Sequence, residues 1–193
     1  MTIQSVDSLP HEMTEEQYRS LPEAVARGIE VVHGHVIVCE SPSPEHNRIA
    51  RRMANTLESL PSTEPCVRVD TDIDVVLWRV PRFTFRRPDV VVYRGLDEPG
   101  AKPEAHDALI VVEVASPSTA AEDLLDKKVQ YARVGIPLYL VVVLDVKYRI
   151  AEVLEFRLDA HAREYRLHRM HREGSVQLEH VVIGQILFEE LIR

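Results

Sequence analysis

Two continuous apolar runs, Leu109–Val114 and Leu138–Leu144, bracket a segment of helix length. Unbroken runs of this kind, rich in Val and Ile, suit strands covered on both faces rather than half-exposed ones. Between them, Thr119-Ala-Ala-Glu122 has the spacing of a capping box, and Gly135 with Pro137 two residues later is a stop signal. The spacing predicts a helix through Val134. A buried strand, a helix and a second buried strand make a right-handed parallel crossover. A chain holding that unit must place helices against a sheet, so the fold class is α/β.

The flanks make the sheet mixed. Ile29–Val38 reads as two strands around the Gly34 turn, and strands are expected near 150–157 and 163–170. Val67–Leu77 alternates, with Val69, Thr71, Ile73, Val75 and Leu77 on one face and Asp70, Asp72 and Asp74 on the other. Period two predicts one half-buried strand with a solvated acidic face. Residues 94–107 are a polar loop. Thr14-Glu15-Glu16-Gln17 is another capping box for a short helix, and Leu187–Ile192 suits a short closing helix. Ser43 before Pro44 caps a helix with apolar positions at Ile49, Met53, Leu57 and Leu60, stopped by Pro61. There is no internal repeat and no linker composition.

At 193 residues with 45% hydrophobic content, one domain is expected. No apolar run approaches the ~20 residues of a membrane span. Residues 1–17 lack the basic start and apolar stretch of a secretory signal. Cys39 and Cys66 are too few for a disulfide framework or a cysteine zinc site, and a cytoplasmic protein with reduced thiols is expected. The net charge of −8 opposes broad, non-specific nucleic-acid binding. Charge is uneven, however. Arg79, Arg82, Arg86 and Arg87 lie in a stretch without acids, and Arg48, Arg51 and Arg52 form a second cluster. Such runs ordinarily mark solvated faces.

The chemistry concentrates in two carboxylates. Asp89 follows Pro88 at the head of Val90-Val91-Val92, and Glu113 stands 24 residues later near the end of its own apolar run. A carboxylate in sheet core is costly without a positive partner, and two that converge repel. A divalent metal answers both problems, and Mg²⁺ or Mn²⁺ suits hard oxygen ligands. Lys127 and Lys128, on the following helix, would add an ammonium that orients water or stabilises charge on a phosphate. The plain alternative is that Asp89 starts a strand and Glu113 meets an arginine. His33/His35 and His168/His171 lack the spacing and partners of a zinc site. There is no P-loop, dinucleotide glycine pattern or nucleophile elbow.

Taken together, RRPDVVVY, LIVVEVASPSTAAEDLLDKKVQYARVGIPLYLVVV and IEVVHGHVIVCESPSPEHNRI resemble the PD-(D/E)XK nuclease superfamily. More narrowly, they are similar to its bacterial Uma-type branch, labelled putative restriction endonuclease. The resemblance covers most of the chain. It implies a single restriction-endonuclease-like domain over 1–193: a mixed central sheet flanked by helices, with an N-terminal hairpin and C-terminal strands. It implies Asp89 and Glu113 as metal ligands. Ala115 stands where the superfamily most often has its lysine, and Lys127 matches the lysine this branch carries on the helix. Asp123 matches the branch's helix acid, which pairs with an arginine or shapes the loop. Glu30 matches an acid near the site, an auxiliary ligand or else a strand-surface residue. His46 belongs to the Ser-Pro-x-x-His pattern, where it caps the loop or approaches the site. Gln130 is expected on the helix surface and Tyr131 in packing, its hydroxyl satisfied locally.

The reading that results is a Mg²⁺- or Mn²⁺-dependent endonuclease acting on DNA, with Asp89, Glu113 and Lys127 catalytic and a homodimer implied by the resemblance. A non-catalytic nucleic-acid-binding or interaction module on the same fold is the alternative, and a metal-dependent enzyme for small phosphorylated compounds is a third.

Overall fold

The computed structural model describes residues 6–98, 100–115 and 121–192. After a 3-10 turn at Val6–Ser8 come α1 (Glu15–Arg19), α2 (Glu23–Ala26), β1 (Ile29–Val32), β2 (His35–Val38) and α3 (Pro44–Ser59). Four strands follow: β3 (Val67–Thr71), β4 (Val75–Trp78), β5 (Thr84–Arg86) and β6 (Val90–Arg94). The crossover unit is β7 (Ala108–Ala115), α4 (Ala121–Val134) and β8 (Leu138–Leu144). The remainder is β9 (Ile150–Asp159), β10 (Glu164–His171), β11 (Ser175–His180), β12 (Val182–Leu187) and α5 (Phe188–Ile192).

The central sheet has six strands in the order β10-β9-β8-β7-β6-β3. Only β7 and β8 are parallel, as the strand–helix–strand pattern requires. Every residue of β7 is buried, because helices cover both faces. Alternation sorts the side chains. Val90, Val92, Ile110, Val112, Leu140 and Val142 meet α3, through Ile49, Met53 and Leu57. Val91, Val111, Tyr139 and Val141 meet α4, through Tyr131 and Ala132. A second sheet, β2-β1-β5-β4, carries a separate small core of Met13, Tyr18, Ile29, Val31 and Phe85. The β11–β12 hairpin adds Val176, Leu178 and Ile186 to the α3 side, although the sequence reading places no strand there.

Local signals set the helix ends. Thr14 and Gln17 form a reciprocal capping box on α1. The Ser43 hydroxyl accepts from the His46 backbone N–H, and Pro44 occupies the first turn of α3. Gly135, at φ +91°, ends α4. Of the capping box expected at Thr119-Ala-Ala-Glu122, Thr119 and the Glu122 side chain lie outside the described residues.

The alternating segment 67–77 is not one strand. β3 pairs with β6 in the large sheet, whereas β4 pairs with β5 in the small one. Asp72 makes the bend at φ +55°, a left-handed conformation that Asp tolerates better than most residues. Consequently the three aspartates share no face. Asp70 is exposed and accepts from the Tyr93 hydroxyl, and Asp72 is open to solvent. Asp74 is buried against Arg87, Lys102 and the Tyr18 hydroxyl. The arginine run also departs from a solvated face. Arg79 and Arg82 are exposed, but Arg86 is buried and Arg87 joins the Asp74 network.

Candidate active site

β6 and β7 are antiparallel, with Val90 opposite Val112. Carried one residue further, that register sets Asp89 opposite Glu113, at the end of the sheet where β7 hands over to α4. Close packing of the apolar run makes this end of the strand pair rigid, so the two acids are held rather than free to separate. The Val114 backbone N–H donates to Asp89 Oδ2 at 2.6 Å. His46, in the first turn of α3, places Nε2 3.1 Å from the same oxygen. Among the described residues the polar contacts of Asp89 fall on Oδ2, leaving Oδ1 open to a ligand.

Glu113 lies on the α4 face of the sheet and is buried. Lys127 Nζ is 2.9 Å from its Oε2, and the Tyr131 hydroxyl donates to Oε1 at 2.8 Å. Lys127 and Tyr131 are four residues apart on α4, so one helix face delivers both groups. Ala115 sits in the core cluster with Tyr131 and Ala132. The ammonium therefore arrives from the helix, not from the strand. Lys128 instead lies over the Phe156 ring, 4.1 Å from its centroid.

A deeper layer supports this one. Arg86 on β5 donates to Glu30 Oε2 at 2.6 Å and to Gln130 Oε1 at 2.9 Å. The Arg87 backbone N–H donates to Glu30 Oε1 at 2.8 Å. Glu30 and Gln130 are thus buried, not on a strand or helix surface as one sequence reading of each had it. A Glu in the apolar strand Ile29-Glu-Val-Val, facing an arginine-rich strand, is the signal that could have paired Glu30 with Arg86. The i, i+3, i+4 spacing of Lys127, Gln130 and Tyr131 could have grouped those three on one face. The Asp123 side chain lies outside the described residues.

Electrostatics follow from burial and repulsion. Burial pushes the Glu113 carboxyl up, the Lys127 ammonium opposes this, and the charges of Asp89 and Glu30 push it further, to about 7. Burial alone would lower the His46 pKa, but the hydrogen bond and charge of Asp89, with Glu113 beyond it, raise it overall. Burial, then the charge of Glu113, holds Tyr131 well above its usual value. Two acids that destabilise each other's charge at a rigid strand end suit a cation between them. Among the described residues no three acidic, His or Cys side chains cluster as a full cage.

A mixed sheet with a parallel crossover, flanked by helices, makes a restriction-endonuclease-like core. The chain belongs to the Uma2 family, described as "Putative restriction endonuclease", whose model matches residues 15–187. It is similar in fold to the crystal structure of a "putative nuclease belonging to DUF820" from Anabaena variabilis ATCC 29413. That match has a TM-score of 0.67 and covers 93% of this chain and 97% of the other at 14% identity, so it speaks for the fold alone. No protein of curated function matches the sequence. Among the described residues no helix is long and apolar enough to cross a membrane.

Proposed function

We propose that this protein is a divalent-metal-dependent endonuclease that hydrolyses phosphodiester bonds in DNA. The observation that carries the reading is the pairing of Asp89 and Glu113 on adjacent antiparallel residues, with Lys127 on the second acid. Asp89 and Glu113 would hold Mg²⁺ or Mn²⁺, which when bound would polarise the phosphate and acidify a water. Asp89 is oriented for this by the Val114 N–H and by His46. Tyr131 fixes the Glu113 carboxylate, so its oxygens need not reorganise as charge develops. Lys127 is the group that orients the attacking water and offsets charge gathering on the phosphate. Glu30 acts at one remove, anchoring Arg86 and through it Gln130 of α4. The family resemblance adds a homodimer to this reading, which light scattering on the purified protein tests.

The test is Mg²⁺ and Mn²⁺ calorimetry on wild type, Asp89→Ala and Glu113→Ala, with plasmid nicking on the same samples. Wild type should bind metal and nick DNA, and each variant should lose both. Metal binding at these acids without nicking would move the substrate elsewhere. No metal binding at millimolar concentration would make the acids structural and leave a non-catalytic module.

A further inference from the structure

Most of the described arginines are neutralised within the protein. Carboxylates hold, among others, Arg79, Arg86, Arg94, Arg157 and Arg172. Arg68, Arg133, Arg163 and Arg169 also lack a carboxylate partner, but they lie apart in sequence, whereas α3 carries three such arginines together. Arg48, Arg51 and Arg52 make no ion pair among the described residues. Glu45 stands three residues before Arg48, yet no ion pair joins the two. From His46 to Leu57 there is no acid at all. In a chain of net charge −8, three unpaired arginines on under two helical turns are a local inversion of sign.

Their position matters as much as their charge. α3 turns Ile49, Met53 and Leu57 to the core, and its first turn sends His46 to Asp89. At ~1.5 Å rise and ~100° per residue, Arg48 lies about 3 Å and Arg52 about 9 Å along the axis from His46, on the helix face turned away from the core. Arg48 neighbours both Arg51 and Arg52 on the helix surface, at i+3 and i+4. Arg48 and Arg51 are exposed, while Arg52 is half-buried with an Nη1 that is fully buried and has no hydrogen-bond partner. That buried nitrogen lies out of reach of a docked duplex, so the contacts fall to Arg48, Arg51 and the exposed part of Arg52. Arginine's planar fork matches phosphate oxygens, and phosphates succeed one another every ~3.4 Å of axis along each strand of a duplex.

We infer that the arginine face of α3 holds the backbone phosphates of duplex DNA flanking the bond presented to Asp89 and Glu113. This rests on the nuclease reading for its choice of ligand. It reconciles an acidic protein with a polyanionic substrate: the contact is one helix face rather than a broad basic surface, so binding is local and tied to the site.

The test is fluorescence anisotropy with a fluorescein-labelled 20-base-pair duplex in EDTA, from about 50 to 200 mM NaCl. It compares wild type, Arg48→Ala, the triple Arg48→Ala/Arg51→Ala/Arg52→Ala, and the same triple to Lys. Each phosphate contact contributes ~0.9 to the slope of log K against log salt. The Ala triple should lose about 2–3 from that slope and bind at least tenfold more weakly at 100 mM. The Lys triple should keep most of the slope, and Arg48→Ala alone should lose about 1. Wild-type affinity and slope in an Ala triple with unchanged circular dichroism would overturn the inference, as would wild type showing no salt-dependent binding. Should the triple fail to fold, the exposed single variant Arg48→Ala decides on the same criteria. Plasmid nicking with Mg²⁺ separates this inference from the nuclease reading. Nicking with an unchanged KM in the triple refutes the arginine face while the nuclease stands. Arginine-dependent binding without any nicking keeps the face and refutes cleavage.

Discussion

Removing Arg86 should be among the most damaging single changes in this protein. The Arg86 and Glu30 side chains are only 4% and 5% exposed, and they meet at 2.6 Å. In Arg86→Met the Glu30 carboxylate stays buried with one backbone donor, Arg87 N–H, and the Gln130 carbonyl loses its own donor. Breaking one side of a buried ion pair costs about 3–5 kcal/mol, mostly through the charge left behind. At ~2–4 °C per kcal/mol for a chain of this size, Tm should fall by roughly 6–20 °C. Adding Glu30→Gln removes the stranded charge, so the double variant should be far better than the sum of the singles, with a coupling of about 2 kcal/mol or more. Differential scanning calorimetry on the four proteins closes the cycle. A fall of under about 2 °C for Arg86→Met, or additive singles, would refute the claim of a buried, coupled pair. The double variant also tests Glu30's role, since unchanged Mg²⁺ affinity places it as a support and not as a ligand.

Three further outcomes follow from the same geometry. Lys127→Met should reduce plasmid nicking by about a hundredfold with the fold retained, whereas Lys128→Met, which removes only a cation above Phe156, should nick within a few-fold of wild type. Equal effects would show that the two lysines share the role. Tyr131→Phe opens no cavity but removes a donor from Glu113, so it should cost about 1–2 kcal/mol in urea unfolding and lower nicking about tenfold. Burial raises the Asp74 carboxyl, but Lys102, Tyr18 and Arg87 outweigh it and hold it below its usual value. Its stabilising contribution is therefore present above the ordinary Asp range near pH ~4 and is lost as pH falls through the lower folded value. Asp74→Asn should be less stable at pH 7 and flatter between about pH 2 and 5, read from urea midpoints; an acid limb as steep as wild type would assign the loss to other groups.

What local chemistry alone determined is considerable. Capping residues at Thr14 and Ser43, the stop at Gly135 and the unbroken apolar runs specify helices and buried strands, because each depends on neighbours a few residues away. The run lengths imply the parallel β7–β8 pair, since a helix between buried strands leaves little choice. Asp89 and Glu113 were legible because ionised groups in apolar strands demand explanation. Tertiary structure decided the rest. Period two persists across Asp72, so only the partners of β3 and β4 reveal that the chain changes sheets there. Whether an arginine is solvated or buried depends on what packs above it, which separates Arg82 from Arg86 within one short stretch. Tyr131 reads as packing in sequence and becomes a donor to Glu113 only once α4 lies across β7. Periodicity reports which residues leave water; it carries no information about which distant residue meets them there, and the site is built from such meetings.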